Sequence, residues 1–215
     1  MNKFICNLSE FNRKERFYLI GKALGNYRFL LSEEFRNSLK TCLKQLPMEI
    51  PDNSFVAMDF HIDWIYGSLF LIDNESSLNL YSLNNAYIKA TQEDVDLLIA
   101  FPDNKNKEIS HVIMCECKAE TGWTNKQLHS KSERLRRIFG EDGNNFKNIV
   151  IPYFIIMSPK KSKKLDSSVV PEFMKVDGDI PWMNLPLPKS LKKITRCNRI
   201  GKNDKDGKYW KVDYT

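Results

Sequence analysis

The amino-acid sequence predicts an α/β fold: a mixed β-sheet flanked by helices, with an N-terminal helical layer and a C-terminal β-hairpin. Three observations lead there. Two apolar runs, VDLLIAF at 95–101 and HVIMCECK at 111–118, bracket a polar turn. A strong helix-start signal follows at Thr124. Then comes IVIPYFIIM at 149–157, too apolar for anything but a central strand. The helix between the second and third runs is the crossover that parallel strands require.

The elements are read in chain order. Asn12-Arg-Lys-Glu15 reads as a cap followed by a helix to Leu24, which Gly25 stops. Ser32 opens a second helix, whose Phe35, Leu39, Cys42, Leu43 and Leu46 recur at helical spacing until Pro47. The run FVAMDFHIDWIYGSLFLI at 55–72 alternates like a strand, yet its length and lack of turn residues favour a buried helix. On that helix Asp59 and Asp63 would stack one turn apart. A polar break, DNESS, and a mixed stretch, LNLYSLNNAYIKAT, come next. Thr124 and Gln127 form a capping box, Trp123 and Leu128 a hydrophobic staple, and Gly140 ends the helix. The last segment, from ITRCNRI through GKNDKDG to KYWKVDYT, reads as a hairpin around a Gly/Asp/Lys turn.

The 215 residues show no internal repeat and no low-complexity linker, so one domain over 1–215 is expected. It divides into a helical part at 1–50, a core at 90–160 and a basic part at 160–215. No window approaches the roughly 20 apolar residues of a membrane span. The first residues lack the apolar region of a signal peptide, and the expected location is cytoplasmic, with no membrane partner. Five cysteines without a CxxC pair fit reduced thiols and no zinc site. The net charge of +6 is uneven. From Ile156 onward 14 Lys/Arg stand against 7 Asp/Glu, while the preceding 155 residues carry 19 against 20. A basic C-terminal region of this kind favours a polyanionic partner.

The hairpin concentrates the chemistry. In strand 111–118, Glu116 and Lys118 share a face because side chains alternate with period two. A hairpin folded symmetrically about Asn106 places Asp96 opposite Glu116. Two carboxylates so placed repel unless a cation sits between them, and a divalent cation with oxygen ligands is the usual answer. Magnesium meets that need, and manganese can replace it. A neighbouring lysine can orient a water and stabilise negative charge, which together suit phosphodiester hydrolysis.

Asp96 followed by Glu116-x-Lys118, in the order acidic strand, hairpin, E-x-K strand, helix, resembles the PD-(D/E)XK nuclease superfamily. The stretches NRKERFYLIGKALG, MDFHIDWIYGSL and AETGWTNKQLHSKSERL are similar to uncharacterised bacterial members of it. The resemblance implies a restriction-endonuclease-like core over 90–160 and a DNA endonuclease leaving a 5′-phosphate. It makes Asp96 and Glu116 the metal ligands, the Cys117 backbone carbonyl a further one, and Lys118 the catalytic lysine. Val95 stands where the family has proline, and Asp94 is a rival to Asp96. Many members add a helix-borne acid, for which Asp63, Asp59 and Glu15 are candidates. Glu15 also suits a capping role and the D-x-H-x-D run a polar face. Gln127 serves either catalysis or its capping box. With it, Lys131 and Arg134 lie on the helix side that would meet the phosphate backbone of DNA, with RNA left open. Lys160, Lys161, Lys163 and Lys164 form a phosphate-contacting or a solvated loop, and Arg196 and Arg199 are further candidates for DNA contact. Trp182 and Trp210 are assigned to the core, and the cysteines flanking Glu116 to its inert side. Cutting both strands with one site per chain would take a homodimer or sequential nicks.

Overall fold

The computed structural model describes residues 2–74, 80–83, 87–91, 93–119, 123–188 and 190–214. Parts of the predicted polar break, of the mixed stretch after it and of the approach to Thr124 lie outside them.

A mixed α/β body is built on a five-stranded sheet. Its strands are β1 (Phe55–His61), β2 (Asp94–Pro102), β3 (Ser110–Cys117), β4 (Val150–Ser158) and β5 (Trp182–Asn184), in that spatial order. The pairs β1–β2 and β2–β3 are antiparallel, while β3–β4 and β4–β5 are parallel. The β2–β3 hairpin has the predicted symmetry about Asn106, with Leu97 opposite Cys115 and Ile99 opposite Ile113. β5 was not foreseen, because three residues give no periodicity to read.

Helices cover both faces. On one side α1 (Lys3–Glu10), α4 (Ile62–Asp73) and α5 (Asn125–Phe139) pack Phe4, Leu8, Ile65, Leu69, Leu135 and Phe139 against Leu98, Val112, Met114 and Phe154. On the other, α3 (Glu33–Cys42) and its continuation bring Leu39, Leu43 and Leu46 onto Ile99, Ile113, Cys115 and Ile155. Glu116 alternates onto the α5 side, and that choice of face positions the site.

The caps follow local chemistry. The Ser32 side chain accepts the Phe35 amide, and Thr124 accepts the Gln127 amide at 3.4 Å. Gly25 ends α2 (Glu15–Leu24) at φ 65°, a left-handed conformation that glycine adopts without cost to a side chain. Asn12 is not the cap of α2. Lys14 holds that position without a side-chain bond, and Asn12 accepts from its own neighbour, the Arg13 amide. The unforeseen α1 is capped by Asn2, whose Oδ1 accepts the Ile5 amide. It lies so close to α4 that a Cβ on Gly67 would come within 2.6 Å of the Phe11 ring just past α1.

The run 55–72 is a strand followed by a helix, correcting the single buried helix expected there. Asp59 and Asp63 therefore sit on different elements and do not stack. The junction is irregular. Ala57 and Phe60 of β1 both enter the α5-side core, as do Val95 and Leu98 of β2, although each pair is three residues apart. Strict alternation forbids this. The break falls where Asp59 meets Asp96: no bridge joins them, and Asp59 adopts φ 49°. Irregularities of this kind re-aim side chains at strand ends.

The C-terminal hairpin, β6 (Lys192–Cys197) with β7 (Tyr209–Tyr214), forms a separate two-stranded sheet. Trp182 fits its core assignment in part, donating Nε1–H to the Ser158 hydroxyl at 3.0 Å. Trp210 does not: it lies on the open ribbon, 68% exposed. Among the described residues no helix is long and apolar enough to cross a membrane.

Candidate active site

The open end of the β2–β3 hairpin and the first turns of α5 enclose a cleft of about 760 Å³. Asp94, Asp96, Glu116, Cys117 and Lys118 line it from the sheet, and Trp123, Lys126, Gln127 and Lys131 from the helix side. The elements explain the convergence. β3 delivers Glu116 and Lys118 by alternation, β2 ends its bridging to β3 at Leu97, and the capped start of α5 faces both.

Asp96 is fixed by backbone: its Oδ2 accepts the Cys117 amide at 2.6 Å. This replaces a ladder bond with a carboxylate contact and carries Asp96 to the mouth of the hairpin. Glu116 is only 6% exposed and forms an ion pair with Lys131, which also donates to the Asp94 carbonyl at 2.5 Å. Burial pushes the Glu116 carboxyl up to about 7; Lys131 opposes the rise and the Asp96 charge adds to it. A buried acid held near neutrality beside a second carboxylate, in an open cleft, has the electrostatics of a functional site. Lys118 is partly buried, with its ammonium 5.7 Å from the centre of the Trp123 ring.

Of the additional acidic candidates, Asp94, Asp63 and Asp59 are each engaged by other partners. Asp94 lies between Lys14, with which it pairs, and His61, whose Nδ1 is 3.1 Å from Oδ1. Asp63 pairs with Arg134 on α5 and accepts the Ala90 amide at 2.8 Å. Asp59 is 2.8 Å from Arg16. Glu15 is exposed in the first turn of α2 and does not line the cleft. Among the described residues no three His, Cys, Asp or Glu side chains gather into a metal cage. Magnesium rarely needs one: it binds through one or two carboxylates and completes its shell with waters and phosphate oxygens. The oxygen-only pair of Asp96 and Glu116 suits that demand.

The basic candidates divide. Arg134 is 3% exposed and held by Asp63 and Glu93, so the expectation that it meets an external phosphate is corrected. A buried guanidinium with two acidic partners staples α5 to α4 and to the entry of β2. Lys131 is the counter-ion of Glu116 rather than an outward contact. Gln127 is exposed at the cleft, its amide engaged in the cap. Parallel pairing of Cys117 with Met157 sends the 158–164 loop out at the same end of the sheet, with Lys160, Lys163 and Lys164 exposed and Lys161 2.8 Å from Asp179. Arg196 lies on β6, where it donates to the Lys205 carbonyl. The thiols flanking Glu116 lie on the α3 side of the strand as expected. Burial pushes Cys117 up to about 12 and Cys115 well above its usual range, which favours the protonated thiol.

Sequence reasoning missed Glu93 and Lys14 as parts of this neighbourhood, while it weighed His61 in the D-x-H-x-D run and placed Trp123 at the start of α5. The acidic spacing of EDVD at 93–96 was the available signal for Glu93. Lys14 reaches the site from a distant segment and left none. No protein-family model, curated relative or solved structure matches the chain.

Proposed function

We propose that the chain is a metal-dependent nuclease of the restriction-endonuclease-like fold, hydrolysing phosphodiester bonds in DNA. The observation that carries this reading is the meeting of Asp96, Glu116 and Lys118 in one open cleft at the start of α5. Asp96 and Glu116 would hold magnesium or manganese, which supplies positive charge against the phosphate under attack.

The chain's own residues do the remaining work. Lys118 stands one strand step beyond Glu116 and can orient the attacking water and neutralise charge growing on the phosphate oxygens. The first turn of α5 presents its positive end, with Lys126 and Gln127, where an anionic backbone would lie. The hydrogen bond from the Cys117 amide fixes the Asp96 carboxylate before any ligand arrives. The exposed lysines after β4 extend the basic path at the same end of the sheet.

One observation favours a second reading, a nucleic-acid- or protein-binding module without turnover. The Lys131 ammonium already neutralises Glu116. The two readings separate in one assay. Plasmid and single-stranded substrates are incubated with magnesium or manganese, using wild type, Asp96→Asn and Lys118→Ala. The nuclease reading expects metal-dependent cleavage by wild type that both variants lose. No cleavage of any DNA or RNA, together with no manganese bound by calorimetry, defeats it in favour of the binding module.

A further inference from the structure

The β6–β7 ribbon leaves an apolar face open. Alternation and register put Lys192, Ile194 and Arg196 on the same face as Trp210, Val212 and Tyr214. Ile194 is 74% exposed, Trp210 68%, Val212 50% and Tyr214 66%. An isolated hairpin is marginal on its own, yet this one is braced at its turn. Asn198 Oδ1 accepts the Ile200 and Lys202 amides, and Asp204 Oδ1 accepts the Asp206 amide. The Asp204 amide donates back to the Arg196 carbonyl. The face is therefore held in shape before it meets anything.

The charges on the ribbon select the occupant. From Lys192 to Tyr214 eight Lys/Arg stand against three Asp. None of those acids is on the open face: Asp213 points to the other side, 3.2 Å from Lys211, and Asp204 and Asp206 are in the turn. A second copy laid face to face would set Lys192 and Arg196 against the same cations with no acid between. The rings and the cations are also paired in register. Arg196 lies directly across from Trp210, and Lys192 across from Tyr214, with its ammonium 6.0 Å from that ring. A flat ring beside a cation, repeated along the ribbon, matches a base and its phosphate. A duplex hides its base faces and offers these rings nothing to stack on.

We infer that the Trp210/Tyr214 face of the C-terminal ribbon is a docking platform for single-stranded nucleic acid, with bases stacking on Trp210 and Tyr214 and phosphates on Arg196 and Lys192. This goes beyond the cleavage reading and is measured without it. Binding is followed by fluorescence anisotropy of a labelled thymidine oligonucleotide of about 20 residues, long enough to exceed one binding site. The buffer contains chelator and no divalent metal, so failure here leaves the cleavage assay untouched.

The full chain is expected to bind the single strand more tightly than a duplex of equal length. Trp210→Ala should weaken binding about 5- to 100-fold, whereas Trp210→Phe, which keeps a ring, should retain most of it. Arg196→Gln should flatten the salt dependence by roughly one phosphate contact. Equal affinity of Trp210→Ala and wild type overturns the proposal, as does preference for duplex. Two further arms also count against it. One is Trp210-dependent binding to anionic phosphatidylserine vesicles without binding to the oligonucleotide. The other is a dimer in sedimentation that Trp210→Ala dissociates.

Discussion

The two ends of the β2–β3 hairpin each hold a carboxylate against a buried polar group, and they treat it in opposite ways. At the closed end Asp103 accepts the Asn106 and Lys105 amides and faces His111 Nε2 at 2.9 Å. His111 is fully buried, and its Nδ1 lies 3.0 Å from the Tyr153 hydroxyl. With Asp103 ionised, Nε2–H donates to it and Nδ1 accepts from Tyr153, so every polar atom of the ring is satisfied. The Asn106 amide, then His111, hold Asp103 down to about 2. At the open end burial pushes Glu116 up to about 7, with Lys131 opposing the rise and the Asp96 charge adding to it. A carboxylate favoured in its charged form is a structural part of a turn. One disfavoured in that form and lining a cleft is a place where a cation can still act.

Substitutions at the open end should give the largest effects and leave the fold intact. Glu116→Gln and Asp96→Asn are each expected to reduce metal-dependent cleavage below detection, and Lys118→Ala to lower it about 10²–10³-fold. Asp103→Asn should leave the rate unchanged, since that residue stands at the far end of both strands. Equal losses at both ends, measured on plasmid DNA with folding checked by circular dichroism, would mean that the hairpin acts only as a scaffold.

The closed end should dominate stability instead. His111→Ala leaves a cavity and deprives Asp103 and Tyr153 of their partner, for a loss of about 2–4 kcal/mol in urea unfolding. A loss of a few tenths would show that the buried network contributes little and that the turn stands on its backbone bonds alone.

Which parts of this contrast were legible in the sequence follows from the range of the interactions. The hairpin register was, because DNKNK sits between two apolar runs and symmetry about Asn106 fixes the pairs. The cap of α5 was, because Thr124 and Gln127 are three residues apart. The role of Arg134 was not. Its partners Asp63 and Glu93 come from elements that only the folded sheet brings beside α5, and on a helical wheel it resembles any solvent-facing arginine. Trp210 misled for the opposite reason: tryptophan is usually buried, and alternation within a ribbon cannot say whether anything covers it. The split of 55–72 into β1 and α4 was hidden because the change of period happens at one residue, Asp59, whose positive φ leaves no signature in composition.

The contrast also predicts two pH limbs of opposite sign, read by thermal unfolding without metal. Glu116 has a folded value raised above its ordinary 4.5, so its contribution is fully present below about 4.5 and is lost as pH rises towards about 7. That limb amounts to about 3 kcal/mol at most and disappears in Glu116→Gln. Asp103 has a folded value depressed below 3.8, so its contribution is present above that pH and fades as pH falls towards about 2. Asp103→Asn should remove only this acid limb. Loss of both limbs in one variant would show that the ends are coupled through the strands.

The smallest expected effect tests why the open end is irregular. Asp59 holds φ 49° where β1 would bridge Asp96, and the core assignments of Phe60 and Val95 change parity there. A left-handed conformation costs an L-residue about 1–2 kcal/mol, and glycine almost nothing. Asp59→Gly keeps the turn in the backbone and loses only the pair with the exposed Arg16, a contact worth at most about 1 kcal/mol. Cleavage should therefore stay near wild type and stability shift by less than about 1 kcal/mol. Asp59→Val strongly disfavours that conformation and pulls β1 back towards regular pairing with β2. Regular pairing would draw Asp96 into the ladder and away from the Cys117 amide. The variant should lose cleavage while remaining folded, with a two-dimensional NMR shift at Cys117 as the local readout. If Asp59→Val cleaves like wild type with Cys117 unmoved, the kink is incidental to the placement of Asp96.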